Sequence, residues 1–337
     1  MKKYYFVIMF LLGFCACKKE VSNTNVNPQL EVYVAGVEYN GSVGAARYWK
    51  NGQAVSLSDG TMDAWAPSIA VVGTDVYVAG TEHNGPGGNG VAKYWKNGQA
   101  IALTDGRQLA AANWIVVVGS NVYVAGAEVK GGVSVAKYWK NGQAISLTDG
   151  TKAAGATSMA VVGSDIYVAG EEYKGSERVA KYWKNGQAIS LTDGSQDAVT
   201  SSIAVVGSDV YVAGAEYNGS LYVVKYWKNG QAIALGNGSS RAWRTSIAVV
   251  GSDVYVAVGG DDKVAKYWKN GQAIALTDGS KDAFTSSIAV VGSDVYVAGA
   301  EYNGSMYVAK YWKNGQAIAL TDGIRNAEAA TIVVIKQ

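Results

Sequence analysis

Two cysteines, one histidine, three prolines and four phenylalanines among 337 residues remove several chemistries before any motif is read. Cys15 and Cys17 stand together near the N-terminus, so the rest of the chain has no disulfide, no thiolate nucleophile and no sulfur ligand for zinc. His83 sits beside Asn84, Gly85 and Pro86. It has no second imidazole to share a metal and no nucleophile motif around which to build a Ser-His-acid triad. With 17% charged residues the chain is no coiled coil, with 49% hydrophobic residues it is not disordered, and with 3 Pro it is not collagen. What remains is a folded globular protein.

A long apolar run is also missing. Tyr4 to Ala16 is apolar over thirteen residues, short of the roughly 18 needed to cross a bilayer. Preceded by Lys2 and Lys3, it reads as a secretory signal over residues 1–16. Its end, Leu12-Gly13-Phe14-Cys15-Ala16-Cys17, resembles a bacterial lipobox, with Cys17 as the lipidated residue. Cys15 is the competing acceptor but follows the bulky Phe14, and an ordinary signal peptide with two incidental cysteines is the simpler alternative. Residues 17–29 are polar and aperiodic after the cysteine and read as a tether. The expected address is therefore an exported, membrane-anchored lipoprotein at the outer membrane or cell surface.

Charge of one sign is absent as well. The formal +2 belongs to Lys2 and Lys3; without them 29 basic residues fall to 27, against 27 acidic ones. Nothing in this balance attracts nucleic acid.

What the chain has in abundance is repetition. Tyr-Trp-Lys-Asn-Gly-Gln-Ala occurs seven times, with its Tyr at 48, 94, 138, 182, 226, 267 and 311. Val/Ile-Tyr-Val-Ala also occurs seven times, and residues 30–337 amount to seven units of 44. Each unit holds four short runs rich in β-branched and aromatic residues, as in Ser202–Val206, Val210–Ala213, Tyr222–Trp227 and Ala232–Leu235. Asn-Gly between the third and fourth runs is the sequence of a type I′ hairpin, and Gly207-Ser208-Asp209 makes the first hairpin. Four-stranded antiparallel meanders at this period predict an all-β, seven-bladed β-propeller over residues 30–337. The first unit begins at its second strand and the last leaves Thr331–Ile335 over. That C-terminal strand is expected to complete blade one and close the ring.

In such a meander the Gly-Ser-Asp and Lys-Asn-Gly-Gln turns share one face of the ring, and the variable segments share the other. The repeated Trp (Trp49, Trp95, Trp139, Trp183, Trp227, Trp268, Trp312) is expected to pack blade against blade. The basic residue two before it is expected to pack its stem and keep its head in water. After the turn glycines of the blade connections, the fourth residue is always Ala and the fifth is Trp65, Ala111, Gly155, Val199, Trp243, Phe284 or Glu328. These variable side chains, with Arg244 beside Trp243, are expected to ring the channel mouth; a drifting loop is the bland alternative. The second-turn loops add Tyr39, His83, Tyr173, Tyr217 and Tyr302, with a Glu at or just before that position in six units.

The YWKNG-type units resemble bacterial seven-bladed propeller repeat proteins, in the broad company of kelch, WD and tachylectin-like rings. The repeated WD dipeptide and the kelch double glycine are absent, so no binding residue carries over; the tachylectin-like likeness implies sugar binding by architecture alone. The function expected is non-enzymatic recognition of a glycan or another surface macromolecule through the variable face, by a monomer without metal or cofactor. A protein-interaction scaffold and a polysaccharide-degrading enzyme are the alternatives.

Overall fold

A computed structural model describes residues 29–236, 244–259 and 263–336. The signal and lipidation readings, Cys17 included, lie outside the described residues, as does Trp243. The described chain forms seven four-stranded antiparallel sheets arranged as a ring of blades. The architecture is the all-β, seven-bladed propeller that the repeats predict. Blade four is representative, with strands Ala154–Val162, Asp165–Lys174, Glu177–Lys184 and Gln187–Ser190 from the channel outward.

Local chemistry sets the meander. Asn51, Asn97, Asn141, Asn185, Asn229, Asn270 and Asn314 have φ of 50–51°, each followed by a Gly at 82–85°. This is the pair of left-handed residues that a type I′ turn requires. At the first hairpin only the glycine is left-handed, Gly207 at 60° for instance, the pattern of a II′ turn. The Asn side chain then closes the turn: Asn229 Oδ1 accepts the Val210 N–H at 2.9 Å, and its Nδ2 donates to Asp209 at 2.8 Å. Lys228 pairs with the same carboxylate at 3.0 Å while its ammonium lies 5.2 Å from the Tyr211 ring centre. The Lys-over-Tyr contact recurs in all seven blades at 5.1–5.4 Å.

The core lies between blades. Trp95 of blade two sits against Tyr33, Ala35, Ala46 and Leu57 of blade one, and six of the seven repeated Trp are only 1% exposed. The tryptophan is thus the blade-to-blade filler that the repeat predicts. The basic residue two before it departs from expectation. Its head leaves water for a cross-strand carboxylate: Arg47 with Glu38, Lys93 with Glu82, Lys137 with Glu128, Lys181 with Glu172, Lys225 with Glu216 and Lys310 with Glu301. The reason is register, since each cation lies opposite a second-strand glycine and its Glu stands two residues further along that strand, a diagonal neighbour on the same face. Blade six has no such Glu, and burial lowers the pKa of Lys266 there.

Two devices hold the ring. Blade one is assembled from both ends of the chain, with Leu30–Asn40 paired to the C-terminal strand from Leu30↔Lys336 to Glu38↔Ala327. Neighbouring inner strands are also stitched together. The Oγ atoms of Ser68, Ser158, Ser202, Ser246 and Ser287 accept the backbone N–H of Ile115, Ile203, Ile247, Ile288 and Ile332 on the next blade, at 3.1–3.3 Å.

A β-bulge interrupts the pairing of the first and second strands in six blades. It swings the inner-strand carbonyl of the fifth-position residue against Gly36, Gly80, Gly126, Gly170, Gly214 or Gly299, where any Cβ would collide with that oxygen. Blade six has Val258 in place of the glycine, and its register runs unbroken from Arg244↔Gly259 to Val250↔Asp253. A side chain and the bulge cannot share this spot.

Candidate functional site

At the variable-face end of the channel lies a cavity of about 420 Å³ whose lining includes Tyr39, Trp65, Asn113, Trp114, Arg244 and Glu328. Trp65 and Glu328 are second in their inner strands, Arg244 opens that of blade six, and Tyr39 is the penultimate residue of the second strand of blade one. Four sequence-predicted residues thus converge on one mouth. Arg244 Nη1 donates to Glu328 Oε2 at 2.8 Å, and its guanidinium lies 6.0 Å from the Phe284 ring centre. Burial raises the pKa of the Tyr39 phenol, opposed by the Trp65 indole beside it. On the other side of Trp65, His83 meets the indole edge-on at 5.4 Å. A second hollow of about 440 Å³ opens there, sharing Trp65, Pro67, Asn113 and Arg244 with the first.

The other predicted residues among the described ones do not line this cavity. Phe284 contacts Tyr307 at 5.6 Å, and Tyr307 contacts Tyr302 at 5.4 Å, an aromatic row on blade seven. Tyr173 and Tyr217 line a separate surface hollow of about 340 Å³ with Arg178, Asp197 and Tyr222. There burial alone would raise the pKa of Asp197, but hydrogen bonds from Arg178 and Tyr222 hold it down at about 2. The carboxylate is saturated and is chemically a strut. The six repeated Glu are likewise each claimed by a cation.

Several cavity residues were missed by the sequence reading. Asn113, Thr157, Ser201, Thr245 and Ser286 stand two places after the variable fifth residue and form a polar collar inside the channel. A strand's period of two would have placed them on the same side as that residue. Part of the collar is occupied by neighbouring backbone: Asn113 Nδ2 donates to Ala156 O at 2.8 Å and Ser286 Oγ to Ala329 O at 2.5 Å. Thr245 Oγ1 is buried without a hydrogen-bond partner. Trp114 replaces the stitching serine of blade three and lines the cavity instead.

Glu171 has no counterpart in the other blades, which carry Val, Thr, Ala or Gly there. Its carboxylate reaches the space beside Gly155 and its Oε2 is buried without a hydrogen-bond partner. Burial pushes its pKa up to about 7, opposed by the Arg178 charge and the Thr200 backbone. Among the described residues no group of three or more His, Cys, Asp and Glu side chains is placed to hold a metal ion.

No protein-family model matches the chain, and no curated protein sequence matches it. Solved structures similar to it include TolB from Acinetobacter baumannii, at 12% identity over 68% of this chain and 61% of that one, with a TM-score of 0.46. Trypanosoma rangeli sialidase in complex with sialic acid is similar at 10% identity, covering 89% of this chain and 56% of that one (TM-score 0.48). Pyrococcus horikoshii acylaminoacyl peptidase is similar at 10% identity, covering 76% and 46% (TM-score 0.47). The chain therefore spans about half to three-fifths of the length of the structures it matches.

Proposed function

We propose that the protein is a non-enzymatic binding protein, tethered to a membrane through Cys17, that recognises a glycan at the variable-face mouth of its channel. The observation that carries this reading is the convergence of Trp65, Tyr39, Arg244 and Glu328 on one cavity of about 420 Å³, within the range of small-ligand sites. An indole face suits the C–H face of a pyranose, while Arg244 and Glu328 offer a donor fork and an acceptor to sugar hydroxyls. Catalysis by paired carboxylates finds little support, because the repeated Glu are neutralised in place. A glycan array probed with the soluble propeller, residues 30–337, tests the reading. Binding should be selective, and Trp65→Ala and Arg244→Ala should each weaken it at least tenfold; absence of binding by the unaltered protein, or indifference to both substitutions, overturns it. Labelled palmitate should enter the full chain and fail to enter Cys17→Ser.

A further inference from the structure

We infer that the constant face of the ring is apposed to the lipid bilayer, so that the channel mouth carrying Trp65 points away from the membrane. The inference rests on the lipid anchor at Cys17, and two observations on the described residues, with the length of the tether, give it direction. The first is where the chain enters the ring. Leu30 opens the second strand of blade one opposite Lys336, at the end where the Gly-Ser-Asp and Lys-Asn-Gly-Gln turns lie. The tether therefore leaves from the constant face.

The second is reach. Residues 18–29 are twelve in number, which span about 40 Å when fully extended and about 20 Å as a flexible coil. Turning the mouth toward the lipid would take the tether past the two outer strands of blade one, about 10 Å, and then up a blade about 30 Å tall. That path uses the whole contour and leaves nothing for the coil.

The third is the surface itself. The inner strands end at this face in Val72, Val118, Val162, Val206 and Val250, each 39–44% exposed, with Val291 and Ile335 partly buried at the same repeat position. Around this apolar ring lie turn residues with little bulk and no charge, such as Gly163 and Ser164. Farther out stand the lysines of the type I′ turns, most of them paired with a carboxylate, as Lys96 with Asp75 and Lys313 with Asp294. Uncharged at the centre and nearly balanced at the rim, the face has no electrostatic reason to be held off a bilayer. Its apolar ring lies on the side to which the acyl chains draw it.

The scarcity of cysteine makes the test clean. With residues 1–16 removed and Cys17 acylated, a single introduced thiol is the only one available to label. Ser164→Cys on the constant face and Ser176→Cys on the variable face of the same blade are both exposed turn substitutions. The full lipidated chain carrying either label is mixed with phosphatidylethanolamine and phosphatidylglycerol vesicles containing a headgroup nitroxide. Because a blade about 30 Å tall separates the labels, quenching at 164 should exceed quenching at 176 about threefold or more. Val162→Asp with Val206→Asp should reduce that ratio toward one without releasing the protein. Vesicle flotation reads the anchor separately. A protein that fails to float overturns the tether, whereas one that floats with equal or reversed quenching overturns the orientation alone.

Discussion

The two faces of the ring are built by different rules. On the constant face one arrangement is copied from blade to blade: a left-handed Asn-Gly pair, an Asn side chain closing the turn and a Lys over a Tyr. On the variable face the equivalent positions hold Trp65, Ala111, Gly155, Val199, Phe284 and Glu328. Copies persist where backbone geometry dictates the residue, and differences gather where the backbone leaves the side chain free. Stability is therefore expected to reside in the copied parts and recognition in the uncopied ones.

The largest break in that comparison is removal of Thr331 to Gln337, which takes away most of the strand that closes blade one. The thermal transition should fall by well over 10 °C or lose cooperativity, on the order of 5 kcal/mol or more; unchanged melting would contradict the closed ring. Trp183→Ala, at a repeated and buried position, should lower stability by about 3–5 kcal/mol in urea unfolding. Gly214→Val places a side chain where the Val199 carbonyl sits and should cost about 2–4 kcal/mol through lost bulge geometry. Val258→Gly, at the same position in the blade that has no bulge, removes a buried core side chain and should cost about 2–3 kcal/mol through lost apolar burial.

The faces also differ in their response to pH. Asp75, Asp165, Asp209, Asp253 and Asp294 are held below their usual range, first by the turn Asn and then by Lys. Their contribution is present above the unfolded pKa near 3.8 and is lost as pH falls. Glu171 has the opposite sign. Its folded pKa of about 7 lies above the usual 4.5, so its favourable contribution is full below 4.5 and disappears as pH rises through 7. Unfolding measured at pH 5.5 and 8 should show a drop that Glu171→Gln removes, about 2 kcal/mol at most. The smallest effect on folding is expected from Trp65→Ala at the mouth, about 1 kcal/mol or less, though it should weaken ligand binding at least tenfold. A large loss of stability there would erase the division between the faces.

The copied half of the molecule was legible because it is governed by local rules. Asn-Gly announces its turn, a period of 44 announces the blade, and a leftover Thr331–Ile335 announces the closure. The pairing of Glu128 with Lys137 was within reach, since Glu and cation stand nine residues apart in five of the six pairs. It was overlooked because long cations usually keep their heads in water. The collar of Asn113 to Ser286 was harder to read. All of its residues but Thr245 sit at bulges, and a bulge is invisible until the carbonyl that crowds its glycine is known. Trp114 lies outside the repeated Trp position, and its place in the channel depends on how seven inner strands converge.

Ring closure by the two ends of the chain also sets an order in time. Blades two to seven are each made from one continuous stretch and can form as soon as that stretch exists, whereas blade one pairs Tyr33 with Val333. Enlarging the loop from one unit to seven adds only about 2 kcal/mol of closure entropy. Synthesis and search, more than free energy, make blade one the last to form. Until then Leu30–Asn40 waits with an open strand edge, and a refolding experiment that follows Trp49 should see it buried after the other repeated tryptophans.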